Sequence, residues 1–430
     1  MFKISIFSVH KLLYNIDIYM IPNQKNNIFT PHDLLSFIRS RAKKHKPIAK
    51  EKLQSRGPYK NTAHIIGMTD PIIPYQANAV ALSGDGKTLA VGAAGSGVFV
   101  FVNINGKWEQ ETFLEANDVG DFNNQGFSVA ISFDGKYIVM GVPFYFVSPE
   151  EEVGAIVVFH LDNGIWNQTL PLVGSDYVGD AAQGYSVAIS KAGNVIAVGG
   201  LADDNFKGAV WIWTRIADGN VWTQDGPKIV GIGGYESIQG ISVALSSNGR
   251  ILASGGNDDD NLRGAVWMFN KIGAAWIQDG PNLFCENAIG GSLQGYSVSL
   301  NGEGSLLASG APGSLQNIGE VFIFERDNDE WSFLDKIHEP AINSAFGTSV
   351  SFNNSGNILA VGAPAIFNGD GLTAIYKREC DTFNLLQIMK EGEIGQAFGM
   401  SVSFSASGST LAIGGPGNGF LQGETWIFQK

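Results

Sequence analysis

A repeat constrains this chain more than any other feature. A Ser-Val pair followed by alternating apolar residues recurs with its Val at positions 129, 187, 243, 298, 350 and 402. A degenerate copy, Ala79-Val80, begins the series, so the spacings are 49, 58, 56, 55, 52 and 52 residues. Units of this length cannot each bury a hydrophobic face alone, and they gain a continuous core only by stacking on their neighbours. Seven copies occupy nearly everything after residue 57.

Each copy reads as four strands. In the third, Tyr185, Val187 and Ile189 alternate with Ser186, Ala188 and Ser190. A period of two marks a strand, and a large face opposite a small one suits a wedge-shaped blade between two others. The turn Lys191-Ala192-Gly193-Asn194 follows, matched by Asp85-Gly86, Asp134-Gly135, Asn248-Gly249 and Gly356-Asn357. Such pairs supply positive φ. The second strand, Val195 to Gly199, is wholly apolar or glycine, as expected for burial on both faces. The third runs from Gly208 to Trp213. The fourth begins at an aromatic residue: Trp108, Trp166, Trp222, Trp276, Trp331 and then Phe383.

The seventh copy ends at Lys430 before any such fourth strand. The missing strand lies ahead of copy one, where Tyr59 to Gly67 matches Trp166 to Gly174 with Tyr59 in the Trp position. The expected fold is therefore all-β: a seven-bladed β-propeller of four-stranded antiparallel blades, its last blade closed 1+3 by an N-terminal strand. Closure removes the open edges that invite aggregation. Burial of Tyr59, Ile65 and Ile66 is expected to contribute roughly 5 kcal/mol, at 1.5–3 for each large apolar side chain. The division is a basic extension at 1–56 and a propeller at 57–430.

Certain copies carry a more specific signature. Phe346-Gly347 precedes Gly362-Ala363-Pro364, and Phe398-Gly399 precedes Gly414-Gly415-Pro416. Copy five has Gly310-Ala311-Pro312, and copy two has Gly126-Phe127 with Gly141-Val142-Pro143. These segments resemble the FG-GAP repeats of integrin α-chain propellers. The resemblance implies a binding module, with calcium in the turn between the first two strands of many members. Here that turn is one residue shorter. In Ser83-Gly84-Asp85-Gly86 one carboxylate stands where three or four belong, and Ca²⁺ takes six to eight oxygens. No cofactor is expected, with calcium kept as the possibility to test. The turns are also similar to those of WD40 blades, as at Ser247 to Gly255, but the period is longer and neither Trp-Asp nor Gly-His recurs. A sialidase reading needs clustered arginines for a carboxylate substrate. Arg215, Arg250, Arg263, Arg326 and Arg378 are instead spread over five copies.

Charge narrows the partners. The chain carries a net −13, which conceals a split. Residues 1–56 hold eight Lys and three Arg against Asp17, Asp33 and Glu51, a net +8, leaving −21 for the remainder. A domain that acidic repels nucleic acid, which is bound through clustered Lys and Arg. Cys285 and Cys380 fall in non-adjacent copies, so two free thiols are expected.

The loops joining strands two to three, and four to the next copy, share one face, and they are the long, variable ones. Binding residues usually sit on such loops over a rigid scaffold. Two align and are acidic: Asp203-Asp204-Asn205 and Asp258-Asp259-Asp260-Asn261. Asp203, Asp204, Asp258, Asp259 and Asp260 are accordingly the candidate ligand-binding residues. Glu150, Glu151, Glu152 and Asp370 occupy comparable loops, and Asp118, Asp121, Asp176, Asp180 and Glu236 the preceding ones. A polarised face of this kind suits a cation, a basic partner or a polyhydroxylated ligand; the plainer alternative is solvated charge that maintains solubility.

Other signals are weaker. Gly231-Ile232-Gly233-Gly234 has no helix after it to hold a phosphate. His64, His160 and His338 lie in separate copies, so no zinc or catalytic cluster is visible. His64 in the closing strand reads as structural. Asn167 and Asn353 begin glycosylation sequons that matter only if the chain is secreted. Residues 4–22 are too interrupted by His10, Lys11, Asn15 and Asp17 for a spanning helix or a signal peptide, and Met20 offers an alternative start. A soluble protein without a spanning helix is expected. Thr30-Pro31 reads as a helix start, with a basic helix over 30–46. Such a segment can be a targeting signal, a docking arm or a solvated tail.

The leading expectation is a non-enzymatic binding or scaffolding propeller that holds a protein or glycan on its loop face. The alternatives are a carbohydrate-active enzyme that uses the acidic loop carboxylates, and a structural or assembly protein. Oligomeric state is open.

Overall fold

Period-two alternation and glycine turns produce seven four-stranded antiparallel sheets in the computed structural model. It describes residues 57–430 apart from 70–72, 74, 121–122, 217–219, 235–236, 287–290, 339–343, 365–370, 392–396 and 418–421. The expected N-terminal extension and its helix over 30–46 lie outside the described residues. Blade one runs Gln76–Leu82, Thr88–Ala93, Gly97–Ile104, Lys107–Leu114. The other blades repeat this meander, innermost strand first. Blade two adds a small hairpin, Phe146–Ser148 against Glu151–Glu152, between its second and third strands.

Blade seven closes as the sequence requires. Its innermost three strands are Ser401–Phe404, Thr410–Gly415 and Glu424–Gln429, and its outer strand is Lys60–Ile65. Lys60 pairs with Gln429 and Ile65 with Thr425, with a bulge between Asn61 and Ala63. The strand is shorter than the expected 59–67. Tyr59 stands just before it, fully buried, its hydroxyl donating to the Gly408 carbonyl at 2.6 Å. Its backbone N–H donates to Gln387 Oε1 and its carbonyl accepts from Gln387 Nε2. Ile65 is buried, but Ile66 is only half-buried, so the seam gains less than three fully buried side chains would supply.

Seven hydrophobic clusters fill the seven gaps between adjacent blades, and none is confined to one blade. The seam clusters show the rule. Tyr59 packs with Ile358, Phe398 and Phe428, while Ile65 and Ile427 pack with Leu89, Val91 and Phe99 of blade one. The large-small alternation of the innermost strands acquires a direction here. Val187 and Ile189 pack back against blade two, and Ala188 packs forward against blade four. The small face permits contact close enough for hydrogen bonding. Ser128, Ser186, Ser242, Ser297 and Ser349 each donate to a glycine carbonyl of the next blade, at 2.7–2.9 Å. Serine two residues later accepts in turn: Phe352 N–H donates to Ser299, Phe404 N–H to Ser351 and Leu82 N–H to Ser403. The repeated Ser-Val, extended to Ser-Val-Ser in blades five to seven, is thus an edge-satisfying device, because those N–H groups have no strand partner.

Glycine in the second strand belongs to the same contact. A Cβ on Gly199 would lie 2.0 Å from the Gly240 carbonyl oxygen, and one on Gly310 would lie 1.9 Å from that of Gly347. The motif glycine that follows Phe346 has φ +91, and its counterpart after Gln183 has φ +86. This register corrects copy two: Gly126 carries the positive φ (+79), and the residue before it is Gln125, so Gly126-Phe127 is one residue out of phase with Phe346-Gly347.

On the opposite face the first-to-second-strand turns join in a closed circuit. Phe133 N–H donates to Lys191 O, Lys191 to Ser247, Ser247 to Gly302, Gly302 to Asn354 and Asn354 to Ala406. Ala406 then donates to Gly84 O and Asp85 to Phe133 O, which completes the ring across the seam. Every blade contributes one backbone link. Asp85, the carboxylate considered for calcium, accepts from the Ser83 hydroxyl at 2.7 Å and from Lys87 N–H at 3.0 Å.

Two outcomes follow for the seam. Removal of residues 1–56 is expected to leave the melting transition of the propeller intact, whereas removal of 1–67 abolishes it; identical melts for the two truncations would refute the closure. Burial pushes the Tyr59 hydroxyl up to about 12 from 10.0. The folded chain holds that proton more tightly than the unfolded chain, so this contribution is complete below pH 10 and is lost as pH rises towards 12. Tyr59→Phe is expected to cost about 1 kcal/mol at neutral pH through the lost hydrogen bond, and to show a shallower decline above pH 10 in urea unfolding. A decline parallel to the parent would contradict this.

Candidate binding face

The loops between second and third strands open on the face away from the turn circuit, and three adjacent blades build them alike. Asp203–Phe206, Asp259–Leu262 and Ser314–Asn317 each form one tight turn whose last three residues are left-handed. Asp204 sits at φ 49, ψ 55 and Asn205 at φ 58, ψ 52, with Phe206 at φ 65. Asp260, Asn261 and Leu262 repeat this in blade four, and Leu315, Gln316 and Asn317 in blade five. A left-handed conformation costs about 1–2 kcal/mol for each L-residue, Asn and Asp tolerating it best. Asn205 and Asn261 at the middle of two turns reflect that tolerance.

Buried polar anchors hold these turns. Asp203 is 1% exposed; its Oδ1 accepts Val178 N–H at 2.7 Å and its Oδ2 pairs with Lys228 Nζ at 2.5 Å. Asp259, 2% exposed, accepts from the Asn282 side-chain amide at 3.1 Å. In blade five the anchor is Ser314, which donates to buried Glu320, and Glu320 pairs with Lys336 Nζ at 3.0 Å. The first residue of each turn therefore faces inward, and the next two carry the tip outward.

The five candidate aspartates divide accordingly. Asp203 and Asp259 are interior anchors. Asp204 and Asp260 lie at the tips, each with a cation three residues on: Lys207 Nζ at 2.6 Å and Arg263 at 2.9 Å. The hydrogen bond from Lys207 holds the Asp204 carboxyl below the usual carboxylate range and raises the lysine in return. Asp258 flanks its turn half-buried, with its carbonyl accepting Leu262 N–H at 3.3 Å. Asp176 is also structural, accepting from Trp211 Nε1 and from Lys228 N–H. Asp180 and Glu150 are exposed. Asp121, Glu236 and Asp370 lie outside the described residues.

Apolar side chains accompany the acids on this face. Phe146 (39% exposed), Val147 (41%), Val178 (49%) and Phe206 (41%) all reach solvent. They belong to one connected surface: Phe146 pairs with Glu152, Tyr177 donates to Glu151 at 3.0 Å, and Asp204 N–H donates to Val178 O. Burial, reinforced by Glu151, raises the Tyr177 hydroxyl.

A buried glutamine, which sequence reasoning passed over, organises the loops between blades. Gln76, Gln183 and Gln294 each grip the incoming connection with both ends of the amide, as Gln183 does at Gly174 N–H (2.7 Å) and Gly174 O (3.1 Å). Gln125 accepts from Ala116 N–H and Gln239 from Gly231 N–H. Gln-Gly at 125, 183, 239 and 294 was a visible signal, occupying the place Phe-Gly takes in blades six and seven. Gly231–Gly234 is one of the gripped connections, and Trp267 Nε1 donates to its Ile232 carbonyl.

The histidines stay apart. His64 stacks on Trp426 at 5.3 Å and meets Glu424 at 2.8 Å, His160 stacks on Tyr137 at 4.4 Å, and His338 is exposed. Among the described residues no group of three His, Cys, Asp or Glu is placed to share a metal ion, and no helix is long and apolar enough to cross a membrane. Cys285 and Cys380 are free thiols. Asn167 is exposed, while Asn353 is buried and accepts Ile358 N–H, closed to a glycan.

No known family profile and no curated protein matches the chain. Among solved structures it is similar to the Cps50 (Swd1) β-propeller domain of Myceliophteria thermophila, with a TM-score of 0.57 and 12% identity over 87% of this chain and 100% of that one. At that identity the likeness establishes the seven-bladed propeller and nothing finer.

The anchor can be tested directly. Lys228→Met leaves Asp203 buried without its counter-ion and is expected to cost about 3–5 kcal/mol; adding Asp203→Asn is expected to recover part of it. Chemical denaturation measures both, and a silent Lys228→Met would show that the pair does not hold the turn.

Proposed function

We propose that the chain is a non-enzymatic binding platform that holds a protein or glycan partner on the loop face of its propeller. The observation that carries this reading is the strained row of left-handed turns. Such conformations persist only where surrounding structure over-determines them, and they gather at ligand clamps and functional sites. Here buried Asp203, Asp259 and Ser314 fix the turns, and the tips gain an exposed, reproducible surface.

The carboxylates of this face suit recognition better than acid–base catalysis. A general acid for glycoside cleavage needs its pKa raised, and Asp204 is shifted the opposite way by Lys207. Asp203 is spent on Lys228. Kinship with FG-GAP propellers is part of the proposal, supported by buried Phe346 and Phe398 before their positive-φ glycines. Gln in the same place in five blades marks how far the repeats have diverged.

The test is a glycan array and a peptide array probed with the intact chain, with a loop-face variant (Asp204→Ala, Val178→Ser, Phe206→Ser) and with a turn-face variant (Lys191→Ala, Asn354→Ala). Loss of the captured probes with the first variant only is expected. Capture unaffected by the loop-face changes, or hydrolysis of an aryl glycoside abolished by Asp204→Asn, would overturn the reading.

A further inference from the structure

We infer that blade two is the docking site, and that its occupant is a basic protein segment carrying aliphatic or aromatic anchors; this rests on the loop-face reading above and narrows it to one blade and one partner chemistry. Between residues 108 and 190 the chain has twelve carboxylates and a single Lys or Arg, Lys136. The stretch runs from the outer strand of blade one, through all of blade two, into the innermost strand of blade three.

Many acids elsewhere are answered from within the fold. Asp225 pairs with Lys271, Asp279 with Arg326 and Glu325 with Arg378, each across a blade boundary. Asp204 and Asp260 carry their own cations three residues away. Among the described residues Glu150, Glu151 and Asp180 form no ion pair, and the stretch itself holds no cation but Lys136. A field of one sign attracts a ligand of the other sign and speeds its encounter.

The same blade carries the apolar half of the site. Its hairpin is the only two-stranded arm projecting from a blade among the described residues. A register shift between Phe146 and Ser148 breaks the alternation that would turn one of two neighbours inward, so Phe146 and Val147 are both exposed. Val178 is tied beside them through Tyr177 and Glu151. Apolar anchors ringed by acids form a surface that a purely charged polymer fills poorly and that an amphipathic basic segment fills at both levels.

Three labelled 16-residue peptides test the inference by anisotropy on the intact chain: a fourfold Arg-Leu-Lys-Phe repeat, an Arg-Ser-Lys-Gly repeat of equal charge, and an acidic Glu-Leu-Asp-Phe repeat. The first is expected to bind tightest and the third not at all, with affinity falling as salt rises. Phe146→Ser with Val147→Ser is expected to weaken the first peptide ~5-fold or more, from the lost apolar contact. Glu150→Lys, Glu151→Lys and Glu152→Lys together are expected to weaken it ~10-fold. A control with the same change in net charge on the turn face of blades five and six (Glu303→Lys, Asp327→Lys, Asp381→Lys) should stay within ~2-fold, its charges lying beyond a screening length of the site. Equal weakening by the control would reduce the effect to overall charge and overturn the inference, as would a first peptide indifferent to the hairpin changes. If binding instead follows Phe206→Ser alone, blade two is refuted while the loop-face platform stands; if no loop-face change matters, both fall.

Discussion

The structure depends on how a radial array of sheets satisfies its innermost strand edges. Each blade presents to its neighbour a strand whose outward N–H and C=O groups have no strand partner. The solution is a serine hydroxyl reaching across the gap: Ser186 to the Gly240 carbonyl, Ser351 to Phe404 N–H. That contact requires small side chains on one strand face and bare glycine on the facing backbone, hence Gly199 and its counterparts. Large residues must then occupy the other face, where they fill the hydrophobic gap to the preceding blade. One hydrogen-bonding requirement accounts for the Ser-Val repeat, for its alternation and for the second-strand glycines.

The two faces of the ring are built on different principles. On one, the short turns link head to tail through backbone bonds from Phe133 round to Gly84, a closed circuit that tolerates little change. On the other, loops vary in length and pay conformational strain for position. The left-handed turns of blades three to five stand because Asp203, Asp259 and Ser314 are sealed beneath them. Removing a buried charge partner there is costly, whereas altering a tip is cheap. That difference lets a surface diversify on a fixed frame.

Much of the candidate site was legible as chemistry but not as arrangement. Asp203, Asp204, Asp258, Asp259 and Asp260 stand out in the sequence as aligned loop acids. Their division into anchors and tips was not legible, because Lys228 lies 25 residues from Asp203 and Asn282 lies 23 from Asp259. The Gln-Gly pairs were equally visible, yet a search for Phe-Gly passes over them. An amide gripping backbone and a ring filling a core are different solutions to the same position, and only the paired N–H and C=O of Gly174 identify the first.

By itself the sequence determined seven copies, four strands in each, and the closure of the last blade by a strand beginning near Tyr59. Those are properties of local periodicity and turn chemistry, and they survive whatever the loops do. Tertiary structure decided the handedness of the loop turns, the ion pairing of the acids, the circuit of turns and the exposure of Phe146 and Val147. The circuit of turns and anchoring pairs such as Asp203 with Lys228 join segments distant in the chain. Even the local turns and the hairpin take their form only where those distant contacts fix their bases.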